Sequence, residues 1–293
     1  MWSTAFRDLQ VEDVLLAEHT SIRIGGRARH ALRPQNERDV IALLHRLRSE
    51  GLEHITLGGG SNSLFTDEDI LQPLLLMEGL KGCEISEGGR VAIGAGVGTS
   101  QVVARMSSEG LAGVHVLAGV PGQIGGAVAM NAGTRYGEIA EVLESVDLVL
   151  PDGEPVRVSR ADLPFAYRHS GLPVGAVVTR VHLRLSPMPK EELRLLTGRW
   201  LKEKQTSQPV RSWNFGCMFK NPPSRAAGQL IDSVGLKGTQ VGQARISSIH
   251  GNFIENLGQA SFLDVLALLE RCESEVSAAF GVQLEREVRV ISR

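Results

Sequence analysis

Between Leu111 and Thr134 the chain carries no Asp, Glu, Lys or Arg. A run so free of charge is long enough to cross a bilayer as a helix. Yet glycine stands at 113, 119, 122, 125, 126 and 133, with Pro121 among them. Each interior glycine costs a helix about 1 kcal/mol relative to alanine, and proline about 3. The segment is therefore read as buried, loop-rich backbone, and the rest of the chain has to fold around it. No membrane association is expected. The first residues turn charged at Arg7 and Asp8, which does not suit a secretory signal, so a cytoplasmic protein is expected.

The remaining pattern mixes short strands with helices and lacks a steady alternation of the two, which predicts an α+β fold. Val40, Ile41, Leu44 and Leu47 share one face of a helix over residues 37–50, with Gly51 at its stop. A strand at 55–57 runs into Gly58-Gly59-Gly60-Ser61-Asn62-Ser63, and another at 90–93 runs into Gly94-Ala95-Gly96-Val97-Gly98. A helix with Thr99 or Ser100 as its cap follows, closed by Gly110. Residues 144–150 and 154–158 read as paired strands around Pro151-Asp152-Gly153, and Val181, Leu183 and Leu185 alternate as a half-buried strand. Ser186-Pro187-Met188-Pro189 is the linker candidate before a charged helix reaching about Lys204. A short helix at 226–234 ends at Gly235. Ser261 caps a helix to about Phe280, and a last strand is expected over 282–291.

Three cysteines, Cys83, Cys217 and Cys272, stand far apart in no metal-ligand spacing. This predicts a reducing compartment and no metal site. A formal net charge of -2 argues against a nucleic-acid partner.

The glycine clusters carry the chemistry. In Gly58-Gly59-Gly60-Ser61-Asn62-Ser63 several backbone N–H groups can point at one anion, and the Ser and Asn side chains add donors. A tight structural turn is the alternative. No Gly-Lys-Ser/Thr ending follows, so this is not a Walker loop. The Gly94–Gly98 cluster lacks the third glycine of a dinucleotide fingerprint, Thr99 standing in its place. Gly119-Val120-Pro121-Gly122-Gln123-Ile124-Gly125-Gly126-Ala127, followed by Asn131-Ala132-Gly133, suits backbone lying flat against a planar ligand. It equally suits a buried crossover between sheets.

Taken in order, these segments resemble the FAD-binding region of the UDP-N-acetylenolpyruvoylglucosamine reductases, the MurB family. Thr20-Ser21-Ile22-Arg23-Ile24-Gly25-Gly26 is similar to that family's opening motif. Tyr167-Arg168-His169-Ser170, Gly216-Cys217-Met218-Phe219-Lys220-Asn221-Pro222, His250-Gly251-Asn252-Phe253-Ile254 and Glu285-Arg286-Glu287-Val288-Arg289 agree with later motifs, in family order. The segment between Arg168 and Lys204 is short, which resembles the family's loop-less second type.

The resemblance implies a vanillyl-alcohol-oxidase-type fold. Two FAD-binding subdomains would occupy residues 1–87 and 88–188, and a C-terminal α+β substrate-binding domain residues 189–293. It implies NADPH-dependent reduction of UDP-N-acetylglucosamine enolpyruvate to UDP-N-acetylmuramate through bound FAD, in peptidoglycan precursor synthesis. Partners would be the UDP-sugar and NADPH, and the protein a monomer. FAD would lie against Gly58, Gly59, Gly60, Ser61, Asn62 and Ser63 and against Gly119, Pro121, Gly122, Gly125, Gly126, Asn131, Ala132 and Gly133. Arg168 would stabilise the enolate, with Tyr167 supporting it. Lys220 and Asn221 would bind substrate, and Glu287 would assist the enolate or protonation step. Cys217 stands where the family commonly has the proton-donating serine. A thiol has a pKa of about 8.5 and is a better acid than an alcohol. From the residues alone, Arg168 and Glu287 also suit solvated positions, Cys217 a small buried one, and His250 a structural turn. An oxidase of the same fold and a catalytically inactive UDP-sugar-binding protein are the competing readings. Gly251, where alanine is common, and Trp213-Asn214-Phe215 depart from the family pattern.

Overall fold

The computed structural model describes residues 4–292, so residues 1–3 of the expected first segment, and Arg293, lie outside the described residues. The chain forms two units, each built from separated stretches. One takes the residues up to Glu12, His30–Gly59 and Leu71–Leu201; the other takes Asp13–Arg29, Gly60–Ile70 and the residues from Lys202 onward.

Two sheets organise the first unit. An antiparallel sheet has the order Pro155–Ser159, Leu143–Val149, Val177–Arg184, Arg90–Gly94, Cys83–Ser86. A smaller one has the order Gln10–Val11, Ala31–Leu32, Leu74–Leu76, Ile55–Leu57, its last three strands parallel. Helix α1, Glu37–Ser49, starts where the Asn36 side chain accepts the Asp39 N–H at 3.1 Å, a cap that contributes about 1 kcal/mol. It stops at Gly51 in left-handed backbone, φ +67°. Val40, Leu43, Leu44 and Leu47 are buried in the unit's core, each side chain worth about 1.5–3 kcal/mol when fully buried.

Helix α2, Thr99–Glu109, is capped differently from expectation. Gly98 is its N-cap, and the Thr99 hydroxyl instead donates to the carbonyls of Val120 and Gly122 at 2.6 and 3.2 Å. The charge-free segment also departs from a pure loop, because it contains a short helix α3, Ile124–Ala129. Gly125 lets this helix pack against the strand end at Ala95, whose Cβ would lie 2.7 Å from a Cβ at 125. Ser186–Pro187 pairs with Leu111–Ala112, and α4, Lys190–Ser207, follows with the boundary between the units inside it.

In the second unit α5, Ala227–Ser233, and α6, Phe262–Phe280, pack with the antiparallel strands Gln240–Val241, Ala244–Ile246 and Ile254–Asn256. Ser261 Oγ accepts the Asp264 N–H at 3.1 Å while Asp264 Oδ2 accepts the Ser261 N–H at 3.0 Å. This reciprocal box starts α6, and Gly281 at φ +66° ends it. Val265, Leu268, Leu269, Cys272 and Val276 are its buried stripe. The expected final strand shrinks to Arg289–Ile291, which pairs in parallel with Ser63–Phe65. Residues 285–288 pair with a different partner, the 217–220 segment, so one continuous ladder does not form. Among the described residues no helix is long and apolar enough to cross a membrane.

Candidate active site

In the first unit the strand Ile55–Leu57 delivers Gly58 and Gly59 against the 119–126 loop. A Cβ on Gly59 would lie 2.7 Å from the Cα of Gly122, and one on Gly58 would lie 3.2 Å from Gln123 Oε1. At Gly59 only glycine lets the two backbones approach so closely. The loop is tied down by Thr99 N–H to Gly122 O at 3.0 Å and by Ile124 N–H to Val97 O at 2.9 Å. Gly119 and Gly122 adopt φ +71° and +102°. Pro121 and Gly126 are exposed, with open space where a Gly126 side chain would stand. Gln123 Oε1 is buried with no hydrogen-bond partner. A glycine cradle with an orphaned buried acceptor is what a planar, hydrogen-bonding cofactor such as FAD fits.

Arg168 sits at the tip of a tight turn. Ala166 and His169 exchange both backbone hydrogen bonds, each 2.9 Å, and Arg168 has φ +53°. Its guanidinium folds inward and its side chain is only 18% exposed, which excludes the solvated position. Nη1 donates to Asn131 O at 3.4 Å, Nη2 donates to Gly133 O at 3.1 Å, and Cζ lies 4.9 Å from the Tyr167 ring centroid. Asn131 is buried, in left-handed backbone at φ +43°, and its Nδ2 donates to Ala166 O at 2.9 Å and to Glu138 Oε2 at 2.7 Å. Ala132 donates its N–H to Ala127 O at 2.7 Å. Asn131, Ala132, Gly133, Tyr167 and Arg168 thus form one cluster, and Glu138 joins it without having been singled out by sequence.

In the second unit Cys217 and Glu287 ride on neighbouring segments. Glu287 N–H donates to Met218 O at 2.8 Å, Lys220 N–H to Glu285 O at 2.9 Å, and Phe219 bridges Arg286. Asn62 joins them: its Nδ2 donates to Glu287 O at 3.0 Å, and its carbonyl accepts the Arg289 N–H at 3.1 Å. Gly60 and Ser61 precede it, and Gly60 O accepts the Ser21 N–H at 3.1 Å. Ser63 begins the strand beyond, buried. Cys217 and Glu287 are both half-buried.

Asn252 is the residue that sequence reasoning undervalued. It is 2% exposed and brackets Phe219, with Oδ1 accepting the Phe219 N–H at 3.0 Å and Nδ2 donating to the Phe219 carbonyl at 2.7 Å. Its carbonyl also accepts the Met218 N–H at 2.9 Å. His250 orders the adjoining turn, its Nδ1 accepting the Asn252 N–H at 3.2 Å, and burial pulls its pKa down. Lys220 Nζ pairs with Glu285 at 2.6 Å, and Asn221 Oδ1 accepts the Ala227 N–H at 3.0 Å at the start of α5. Gly251 has a steric cause: a Cβ there would lie 2.5 Å from Gly228 O. Asn214 has a hydrogen-bonding cause, since Oδ1 accepts the Gly216 N–H at 2.9 Å while Nδ2 donates to the carbonyls of Pro209 and Ser212, both at 2.9 Å. Burial pushes the Cys272 thiol up to about 12, and Cys83 is raised for the same first reason, so neither is a ready nucleophile. Among the described residues no group of three or more His, Cys, Asp or Glu is placed to hold a metal ion.

Residues 28–159 match the FAD binding domain family, so the fold and site define an FAD-binding oxidoreductase of mixed α and β structure. Residues 208–291 match the C-terminal domain of UDP-N-acetylenolpyruvoylglucosamine reductase. The reductase of that name from Anaeromyxobacter sp. (strain Fw109-5) is 41% identical over 281 residues, covering 96% of this chain and 88% of that protein. The one from Syntrophobacter fumaroxidans is 41% identical over 287 residues, covering 94% and 82%. The crystal structure of UDP-N-acetylenolpyruvylglucosamine reductase (MurB) from Thermus caldophilus superposes with a TM-score of 0.84 at 38% identity, over 97% of this chain and 100% of that one. The chain belongs to the UDP-N-acetylenolpyruvoylglucosamine reductase family.

Proposed function

We propose that this protein reduces UDP-N-acetylglucosamine enolpyruvate to UDP-N-acetylmuramate, with FAD as bound cofactor and NADPH as electron donor, as a cytoplasmic monomer in peptidoglycan precursor synthesis. The observation that carries the reading is the pairing of the Cys217 and Glu287 segments. It brings a thiol-bearing and a carboxylate-bearing residue onto adjacent backbone.

Gly58, Gly59, Gly60, Ser61, Asn62 and Ser63 would hold the FAD diphosphate. Gly119, Pro121, Gly122, Gly125, Gly126, Asn131, Ala132 and Gly133 would line its flavin-bearing portion. When bound, FAD supplies the relay that takes hydride from NADPH and delivers it to the terminal methylene carbon of the enolpyruvyl group. The chain's own residues manage the charge and the proton. Arg168 grips the pyruvyl carboxylate and favours the negative charge that grows there, with Tyr167 beside it. Cys217 Sγ–H gives its proton to the carbon next to that carboxylate, which completes the addition of one hydride and one proton. A thiolate has no proton to give, so this role requires the protonated thiol. Glu287 assists the enolate during protonation, and Lys220 and Asn221 bind the sugar nucleotide. The division into residues 1–87, 88–188 and 189–293 belongs to the same proposal, with the first two serving FAD and the last the substrate.

The test is the visible absorption spectrum under anaerobic conditions, before and after NADPH and then the enolpyruvyl UDP-sugar. Flavin absorbance that NADPH bleaches and the sugar nucleotide restores is the expected result. A flavin that stays reduced until air enters overturns the substrate. Well-folded protein that takes up no FAD overturns the reading as a whole.

A further inference from the structure

Arg168 does not stand on its turn unaided. The strands Gly133–Thr134 and Gly137–Glu138 form a small hairpin, in which Gly133 pairs with Glu138. Glu138 Oε2 accepts from Asn131 Nδ2 at 2.7 Å, and Glu138 Oε1 lies 3.8 Å from Arg168 Nη1. The second distance is a charge contact and too long for a hydrogen bond. Glu138 therefore acts on the guanidinium through its field and takes up none of its N–H donors. The same Asn131 amide donates to Ala166 O, which belongs to the residue that closes the Arg168 turn, and the Asn131 carbonyl accepts from Arg168 Nη1. One carboxylate thus bears on Arg168 twice, on its turn through Asn131 and on its cation through charge. The hairpin is braced on its other side, where Tyr136 stacks on Trp200 at 4.0 Å between centroids, 8° from parallel, and Trp200 in turn stacks on His115 at 5.1 Å. Glu138's own N–H is held by Glu141 Oε1 at 2.9 Å.

We propose that Glu138 is a positioning residue for Arg168: its Asn131 hydrogen bond fixes where the guanidinium stands, and its charge moderates how strongly that cation attracts the substrate carboxylate. The inference rests on the reading of Arg168 given above. The two roles separate chemically. Glu138→Gln keeps an oxygen acceptor for Asn131 and removes the charge, whereas Glu138→Ala removes both.

The experiment is steady-state kinetics of the FAD-loaded full chain with NADPH and the enolpyruvyl UDP-sugar, alongside flavin content and thermal melting. Glu138→Gln should lower KM for the UDP-sugar roughly threefold, as expected for loss of a long, partly solvated ion pair, with KM for NADPH unmoved. Glu138→Ala should lower kcat by about 10²-fold, the cost of a catalytic group displaced by about 1 Å, while flavin content holds. If the alanine variant does not fold, the glutamine KM split alone decides, and an unchanged or raised KM for the UDP-sugar overturns the proposal. Equal kcat losses in both variants overturn it too, because the retained Asn131 bond would then have rescued nothing. Arg168→Lys is measured in parallel. Parent kinetics there bring down the Arg168 reading and this proposal with it. An inactive Arg168→Lys beside two Glu138 variants indistinguishable from the parent brings down this proposal alone.

Discussion

Replacing Arg168 by glycine and by alanine separates backbone strain from side-chain function. Arg168 has φ +53° in a turn closed by two 2.9 Å hydrogen bonds between Ala166 and His169. Left-handed backbone costs an L-residue with a Cβ about 1–2 kcal/mol, and glycine nothing. In ordinary helix or strand backbone the order is reversed, glycine being less stable than alanine by roughly 0.5–1 kcal/mol. Both variants lose the same contacts with Asn131 O and Gly133 O, so those losses cancel in the comparison. The net expectation is that Arg168→Gly is more stable than Arg168→Ala by about 1 kcal/mol, a melting difference of about 2–4 °C for a unit of this size. Thermal melts of the two purified variants, followed by circular dichroism, measure it. Both variants should also fail to restore the bleached flavin with the UDP-sugar. An alanine variant as stable as the glycine variant, or more so, would show that the backbone at 168 carries no strain. The case for Arg168 as a residue held in place at an energetic cost would then be wrong.

Three further outcomes are expected. Cys217→Ser should retain substantial turnover and Cys217→Ala should lose roughly 10²–10⁴-fold; anaerobic turnover measures both, and a fully active alanine variant ends the assignment. Asn252→Ala strands the backbone N–H and C=O of buried Phe219 and should destabilise the protein by about 2–4 kcal/mol, read as a lower urea midpoint; an unchanged midpoint refutes the bracket. Burial lowers the pKa of His54, His115 and His250. Below the ordinary histidine value of 6.5 the unfolded chain takes up protons that the folded chain refuses, so this stability is present above 6.5 and is lost as pH falls through the unfolded values toward the depressed folded ones. The urea midpoint should fall between pH 7.5 and 5.5, and a rise contradicts the sign.

Features set by neighbouring residues were legible in the sequence. The Ser261 cap and the Gly51 stop each act within one helical turn, and the pattern located both, whereas the Asn36 cap and the Gly281 stop emerge only in the structure. The glycine loops were legible because close backbone approach permits little else. What failed depends on residues distant in the chain. Thr99 has the chemistry of a cap, but its hydroxyl is claimed by carbonyls some twenty residues on. The alternation over 282–291 is real, yet residues 285–288 and 289–291 meet different partners. Asn252 and Glu138 gain their meaning from Phe219, Asn131 and Arg168, and no local pattern marks that.

The interleaving of the two units has a consequence for biosynthesis. Residues 13–29 and 60–70 leave the ribosome early, but the remainder of their unit begins only at Lys202. The strand Ser63–Phe65, with Leu64 and Phe65 fully buried in the finished protein, waits for Arg289–Ile291. At about 5–20 residues per second this strand stays without its partner for roughly 10–45 s. All of the first unit's residues are synthesised by Leu201, while Ile22, Ile24 and Leu64 of the two early segments still lack the rest of their core. Nascent chains stalled between residues 202 and 288 should therefore be the species that aggregate or recruit chaperones.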